Sequence, residues 1–236
     1  MREKVAEGRM RVSREASMLD LLVKYAPDFF HGMLVTIFVS GSAILLGTVP
    51  ALALAFGLMS KHPMVRYAAN LYRSFWRGTP ILVQLLVVFY LLPVIGISVP
   101  PMLAAILALA LNTTAFQAEI YRAGLQAIPY GQIEAARMLG IGTRHVRWRI
   151  LVPQTIRLVL PAIVSEIVII IKNSSLVSVI AVTELTRVSQ QMASNSFRPL
   201  ESYLAAGVIY LLICLLVSVA GLAVENRLRR QGAVSL

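Results

Sequence analysis

"FFHGMLVTIFVSGSAILLGTVPALALAFGLM", residues 29–59, carries one histidine and no other ionisable side chain along its whole length. A helix that crosses the hydrocarbon of a bilayer needs about 20 mostly apolar residues. This run exceeds that requirement, and dividing it in two leaves each half too short. It therefore reads as one tilted spanning helix, with Pro50 placed to kink it. Working outward, similar runs occupy residues 80–99, 100–118, 159–182 and 203–224, with a very tight turn at 95–101. The expected architecture is an all-α membrane protein with five transmembrane helices in a single domain over 29–224. It is preceded by a tail, 1–28, and followed by another, 225–236. Within the first tail, "SMLDLLVKYAPDFF" suits an amphipathic segment on the membrane surface.

Composition agrees. Of 236 residues, 58% are hydrophobic and only 14% charged, where soluble domains carry about a quarter. The net charge of +11 sits in short segments between apolar runs and forms no basic face interleaved with aromatics, so nucleic acid is excluded as a partner and the lipid bilayer is expected. His31, His62 and His145 are scattered, and the single Cys214 lies in an apolar run. No metal site is expected. No cleavable leader is read before Phe29.

Charge sets the expected orientation. Lys61, Arg66, Arg73 and Arg77 lie in 60–79. Arg122, Arg137, Arg144, Arg147, Arg149 and Arg157 lie in 119–158, and Arg227, Arg229 and Arg230 in the last tail. In a five-helix chain these three segments share one side, which the positive-inside rule makes cytoplasmic. The opposite turn, 95–101, has no Lys or Arg, and 183–202 has only Arg187 and Arg198. The N-terminus then lies outside and the C-terminus inside, although the first tail is itself basic.

Segment 119–158 is longer than a connection needs. Pro129-Tyr130-Gly131 reads as a turn and 132–139 as a short helix stopped by Gly140, suited to a left-handed cap. Thr143 is the expected N-cap of a second short helix before Pro153. Ala135 and Ala136 offer a low-relief surface flanked by Glu134 and Arg137. Such a hairpin reads as a docking element, or as a helix pair resting on anionic lipid.

Glu134-Ala135-Ala136, then Gly140, then Ile150 and Pro153 resemble the EAA loop of ABC importer membrane subunits, with Val152 in place of the usual leucine. "FWRGTPILVQLLVVFY" (75–90), "AEIYRAGLQAIPYGQIEAARMLG" (118–140) and "KNSSLVSVIAVTEL" (172–185) narrow the resemblance to the polar amino-acid permease subfamily, over roughly residues 20–230. The resemblance implies a type I ABC importer transmembrane domain in a bacterial cytoplasmic (inner) membrane. It implies two cytoplasmic ATP-binding subunits, a second permease subunit, the same or homologous, and an extracytoplasmic solute-binding protein. Glu134, Ala135, Ala136, Gly140, Arg144 and Arg147 then couple the loop to the ATPase.

Lys4, Lys24, Lys61 and Lys172 are followed by Val, Tyr, His and Asn, so no G-x-x-x-x-G-K-[ST] loop exists. The chain is not expected to be an enzyme and needs no cofactor of its own. ATP and Mg belong to the partner ATPase. G-x-S-x-G and H-E-x-x-H are also absent.

Charges inside the fourth run are costly, about 2.5–3.5 kcal/mol at a helix centre. Glu166, Ile170 and Asn173 are spaced i, i+4, i+7 and share one face. A carboxylate there suits an ammonium group, or else a helix–helix hydrogen bond. Arg77 and Gln84 are also seven apart. Arg77 suits a substrate carboxylate or a positive-inside anchor. The resemblance favours a substrate site at Arg77, Gln84, Glu166 and Asn173, with Asn173 standing where the family usually has Asp. The expected function is the permease subunit of an ATP-driven importer for polar amino acids or opine-like derivatives. The alternatives are a self-sufficient secondary transporter or channel using Glu166 and Lys172, and a sensor or assembly protein.

Overall fold

The structure is a computed structural model that describes residues 18–233; residues 1–17 of the first tail and 234–236 of the last lie outside them. In chain order the helices are α1 (Met18–Leu58), α2 (Pro63–Gly78), α3 (Ile81–Val94), α4 (Pro101–Gln126), α5 (Tyr130–Met138) and α6 (Thr143–His145). A π-helical turn, Val146–Leu151, leads into α7 (Val152–Asn173). A 3-10 segment, Ser174–Ile180, follows, then α8 (Leu185–Ser196) and α9 (Pro199–Ala233). No strand occurs among the described residues.

Four stretches are long and apolar enough to cross a membrane: Val23–Leu58, Pro101–Gln126, Thr143–Ile180 and Pro199–Leu228. The fifth expected span, 80–99, is shorter than read. Helix α3 has 14 residues, roughly 21 Å at 1.5 Å per residue, less than the ~30 Å hydrocarbon core. It counts as a crossing only with α2, to which it is joined at a bend of 110°. Segment 60–79, read as a loop, is therefore mostly helical.

The bend has a local cause. Proline disfavours the α conformation in the residue before it, and Thr79 is extended at φ −116°, ψ 150°. Pro80 is itself extended and caps α3 from outside, rather than filling its first turn. Arg77 and Gln84 therefore sit on two helices, not on one shared face. Helix α2 exposes Met64, Tyr67, Leu71 and Phe75 and buries only Ala69 and Trp76. That pattern, with Arg66, Arg73 and Arg77 along it, suits a helix lying in the membrane interface.

Other boundaries shift for similar reasons. Helix α1 reaches back to Met18, so the expected surface segment is its first part. Helix α4 continues past Ala118 to Gln126 because nothing breaks it until Ile128-Pro129. Helix α7 starts at Val152, ahead of the expected 159, with Pro153 in its first turn where a missing N–H costs nothing. Its α-helical part stops at Asn173, and the 3-10 segment closes at Ala181 in the left-handed region, φ 63°. Helix α9 runs beyond 203–224 at both ends.

Helix α4 is the centre. In its most apolar window 67% is buried, against 6% for α9, which turns Leu204, Val208, Leu211, Leu215 and Leu216 outward. Ala104, Ala105, Ala108, Ala110, Ala115 and Ala118 keep α4 slim and let its neighbours close in. The main core gathers Val39 and Ala43 of α1, Leu85 of α3, Leu109 of α4, Ile170 of α7 and Val177 of the 3-10 segment. Helix α1 comes close to α4 at Gly47, where a Cβ would lie 2.7 Å from Thr113 Cγ2 and 3.0 Å from the Ala110 carbonyl oxygen.

That contact is testable. Gly47→Ala should lower the thermal unfolding midpoint of the purified protein, an overpacking cost of about 1–3 kcal/mol. Gly41→Ala, which meets nothing within 4 Å, should hold or slightly raise the midpoint, since glycine inside a helix costs about 0.5–1 kcal/mol relative to alanine.

Candidate functional site

Three polar clusters are built on α4. The first closes the α2–α3 corner. Breaking the helix at Thr79-Pro80 strands carbonyls, and the buried Gln84 serves them. Its Nε2 donates to the Trp76 and Thr79 carbonyl oxygens at 2.9 and 3.0 Å, and it lies 2.7 Å from Thr79 Oγ1. Asn112 Nδ2 donates to Gln84 Oε1 at 2.7 Å. Both ends of the Gln84 amide are thereby occupied.

The second cluster surrounds Glu119, whose carboxylate stands among three arginines. Arg73 Nη1 is 2.9 Å and Arg122 Nη2 2.7 Å away, while Arg77 Nη1 is 3.6 Å away. Arg77 also lies over the Phe116 ring at 5.2 Å. Its side chain is 43% exposed and is the most loosely held of the three.

The third cluster reaches α7. Glu166 is buried, and its Oε1 accepts from Thr113 Oγ1 at 2.8 Å. No ion pair forms at this carboxylate among the described residues, although the Arg77 guanidinium is near enough to act on it electrostatically. Thr113 in turn accepts from Gln117 Nε2 at 3.2 Å, Tyr121 donates to Gln117 Oε1 at 2.9 Å, and the Thr48 hydroxyl lies between that oxygen and the Ile44 carbonyl, at 3.0 and 2.8 Å.

The structure thus brings Arg77, Gln84 and Glu166 around one helix. Asn173 is half-buried at the end of α7, on the Glu166 face, and its side chain makes no hydrogen bond among the described residues. Lys172 is exposed in a groove of about 490 Å³ between α7 and α9, together with Ser165, Ser218 and Glu225. Glu166 and Lys172 face different surroundings and do not form a pair.

The hairpin takes a related but corrected form. Gly140, at φ 71°, ends α5. Ile141 N donates to the Ala136 carbonyl at 3.0 Å and Gly140 N to that of Arg137 at 2.9 Å, the paired bonds of a Schellman motif. Gly142, not Thr143, is the N-cap of α6. Ala136 is buried, so it does not present a surface; Glu134, Ala135, Arg137 and Arg144 are exposed. Arg147 lies in the π-helical turn, its side chain outside those described. The outward residues are instead Met138 and Leu139, 89% and 79% exposed. Gln154 Nε2 ties the hairpin to α7 by donating to Gln132 Oε1 at 2.8 Å.

Sequence reading missed Asn112, Thr113, Gln117 and Glu119. The signal was "LNTTAFQAE" (111–119), a polar cluster at the end of an apolar run. No group of three His, Cys, Asp or Glu suited to a metal occurs among the described residues.

Apolar outer helices around a satisfied polar interior define a multi-pass helical membrane protein. Residues 31–230 match the family of binding-protein-dependent transport system inner membrane components, and the chain belongs to that family. It is 36% identical to the L-cystine transport system permease protein TcyB of Bacillus subtilis, over 86% of this chain and 88% of that one. It is also 36% identical to the nopaline transport system permease protein NocM of Agrobacterium fabrum, over 85% and 87%. A crystal structure of an amino acid ABC transporter with histidines superposes with a TM-score of 0.83 at 36% identity, covering 89% of this chain and 98% of that one. An inward-facing MetNI methionine ABC transporter shares the fold, with a TM-score of 0.74 at 17% identity over 87% and 98%. The chain is thus a membrane permease component of an ABC importer with the type I transmembrane fold, and such components are not themselves catalytic.

Gln84→Leu should unfold at lower temperature by about 1–3 kcal/mol, the cost of leaving the Asn112 amide and the corner carbonyls unpaired. Differential scanning fluorimetry of the purified chain measures this.

Proposed function

We propose that this permease imports polar amino acids or opine-like derivatives. The observation that carries the reading is Glu166: a buried carboxylate in a spanning helix, held by one hydroxyl, in no ion pair among the described residues, and reached by Arg77 only at longer range. An unpaired charge at such depth is costly, and a substrate ammonium or guanidinium supplies the missing partner. The relatives transport cystine and nopaline, and others arginine and octopine, all bearing both charges of an amino acid. Arg77, loosely held beside Glu119, takes the substrate carboxylate. Asn173, neutral and without a partner, meets the side chain. Gln84 supports the corner on which Arg77 is mounted.

In this reading the chain works with two ATPase subunits that bind ATP and Mg, a second permease subunit, the same or homologous, and an extracytoplasmic solute-binding protein. The hairpin end is cytoplasmic, the N-terminus outside and the C-terminus inside, in a bacterial cytoplasmic membrane. Met138 and Leu139 form an apolar knob for a cleft in the ATPase, while Glu134, Ala135, Arg137 and Arg144 contact its rim. Gly140 fixes the angle of the knob, and Ala136 and Arg147 belong to the base that supports it.

The test is ATP-dependent uptake by the complete transporter in liposomes, with labelled L-arginine, L-glutamine and octopine as probes. Glu166→Gln should raise KM at least tenfold, the worth of a lost charge-assisted bond of about 1.5–3 kcal/mol. An unchanged KM makes Glu166 structural. Gly140→Val should abolish copurification of the ATPase while membrane insertion persists, since a β-branched residue resists φ 71°. Wild-type coupling in that variant excludes docking through the hairpin.

A further inference from the structure

The hydrogen bonds around Glu166 have a direction, and that direction assigns work to residues the substrate does not touch. The chain of contacts begins on α1. The Ile44 carbonyl oxygen can only accept, and it faces the amide nitrogen of Gln117 at 3.5 Å. The Tyr121 hydroxyl, 2.9 Å from Gln117 Oε1, donates to it, and Thr48 Oγ1 lies 3.0 Å from the same oxygen. The single Thr48 proton has two acceptors, Gln117 Oε1 and the Ile44 carbonyl oxygen at 2.8 Å, so the orientation of the amide, with nitrogen towards Ile44 and Thr113, rests on the Tyr121 donor and the Ile44 acceptor.

Gln117 Nε2 then donates to Thr113 Oγ1 at 3.2 Å. A threonine hydroxyl has one proton, and with a donor already facing it, that proton goes to the remaining neighbour, Glu166 Oε1, at 2.8 Å. Thr113 and Gln117 are buried, and α1 comes close to the Thr113 methyl at Gly47, where an added Cβ would lie 2.7 Å from it. The other oxygen of Glu166 carries no protein hydrogen bond among the described residues.

We infer that Gln117 and Thr113 form a one-way hydrogen-bond relay that positions the Glu166 carboxylate, holding Oε1 and leaving Oε2 for a cationic group of the substrate. Gln117 and Thr113 are positioning residues and do not contact the substrate. The relay rests on the proposed role of Glu166, and deepens it: affinity depends on residues of α1 and α4 that keep the acceptor pre-oriented, so less ordering is needed on binding.

Two measurements on the complete reconstituted transporter test this. Infrared difference spectra against Glu166→Gln isolate the carboxylate stretching band of Glu166. Thr113→Val, nearly isosteric but without the hydroxyl, should shift that band, and Thr113→Ser should restore it. An unshifted band in Thr113→Val overturns the relay. Uptake kinetics use L-arginine, L-glutamine and octopine. Thr113→Val should raise KM about tenfold, as expected for loss of one hydrogen bond to a charged group, and by more than it lowers the maximal rate; Thr113→Ser should recover most of it. In the Glu166→Gln background the same substitution should raise KM no further, because the group it positions is gone. An equal further rise there means a general packing role and overturns the inference. If Glu166→Gln leaves KM unchanged, the substrate role of Glu166 fails, whereas a rise in Glu166→Gln without one in Thr113→Val fails the relay alone.

Discussion

A polar group carried into a bilayer has to find its partner inside the protein, and most of this fold follows from how α4 meets that requirement. Asn112, Thr113, Thr114 and Gln117 are buried on a spanning helix, and no buried side-chain nitrogen or oxygen lacks a partner among the described residues. The partners come from three neighbouring helices. Gln84 supplies α3, Gly47 and Ile44 supply the α1 backbone, and Glu166 supplies α7. Lipid tails give apolar helices little reason to prefer one arrangement over another. The hydrogen bonds of α4 give that reason, and its alanines make the necessary approach possible.

The same logic explains the corner at Thr79-Pro80. A helix broken at Thr79-Pro80 leaves carbonyls without their intrahelical partners. Gln84, two amide hydrogens on one side chain, covers them, and Asn112 covers Gln84. The corner and the central helix are therefore one unit. On the outer surface of α2, Tyr72 adds a further tie by donating to the Leu111 carbonyl at 2.8 Å.

What the sequence disclosed divides along physical lines. Apolar runs such as 29–59 reveal spanning helices because length and composition suffice, and Gly140 revealed its turn because few residues accept its φ. Boundaries were less legible, since α4 and α7 continue past their apolar parts as long as nothing breaks them. The 110° bend was hidden because helical spacing alone places Arg77 and Gln84 on one face, and the proline's effect on Thr79 cuts that periodicity. Ala136 was read as a surface when tertiary packing buries it. Glu166 was legible as an isolated charge. Its neighbours Thr113 and Gln117 were not, because contact between α4 and α7 is absent from any local pattern.

The short link between α4 and the hairpin has a mechanical consequence. Only Ala127–Pro129 separate the end of α4 from α5, and Ile128 within it is buried. On the far side, the Gln132–Gln154 bond joins α5 to the start of α7. The hairpin is thus tied to both α4 and α7, and those two helices meet again at the Thr113–Glu166 bond. The contacts form a closed loop, with the hairpin at one end and the buried carboxylate at the other. In the proposed docking of the hairpin, a displacement there has two routes to the Thr113–Glu166 contact, one through α4 and one through α7.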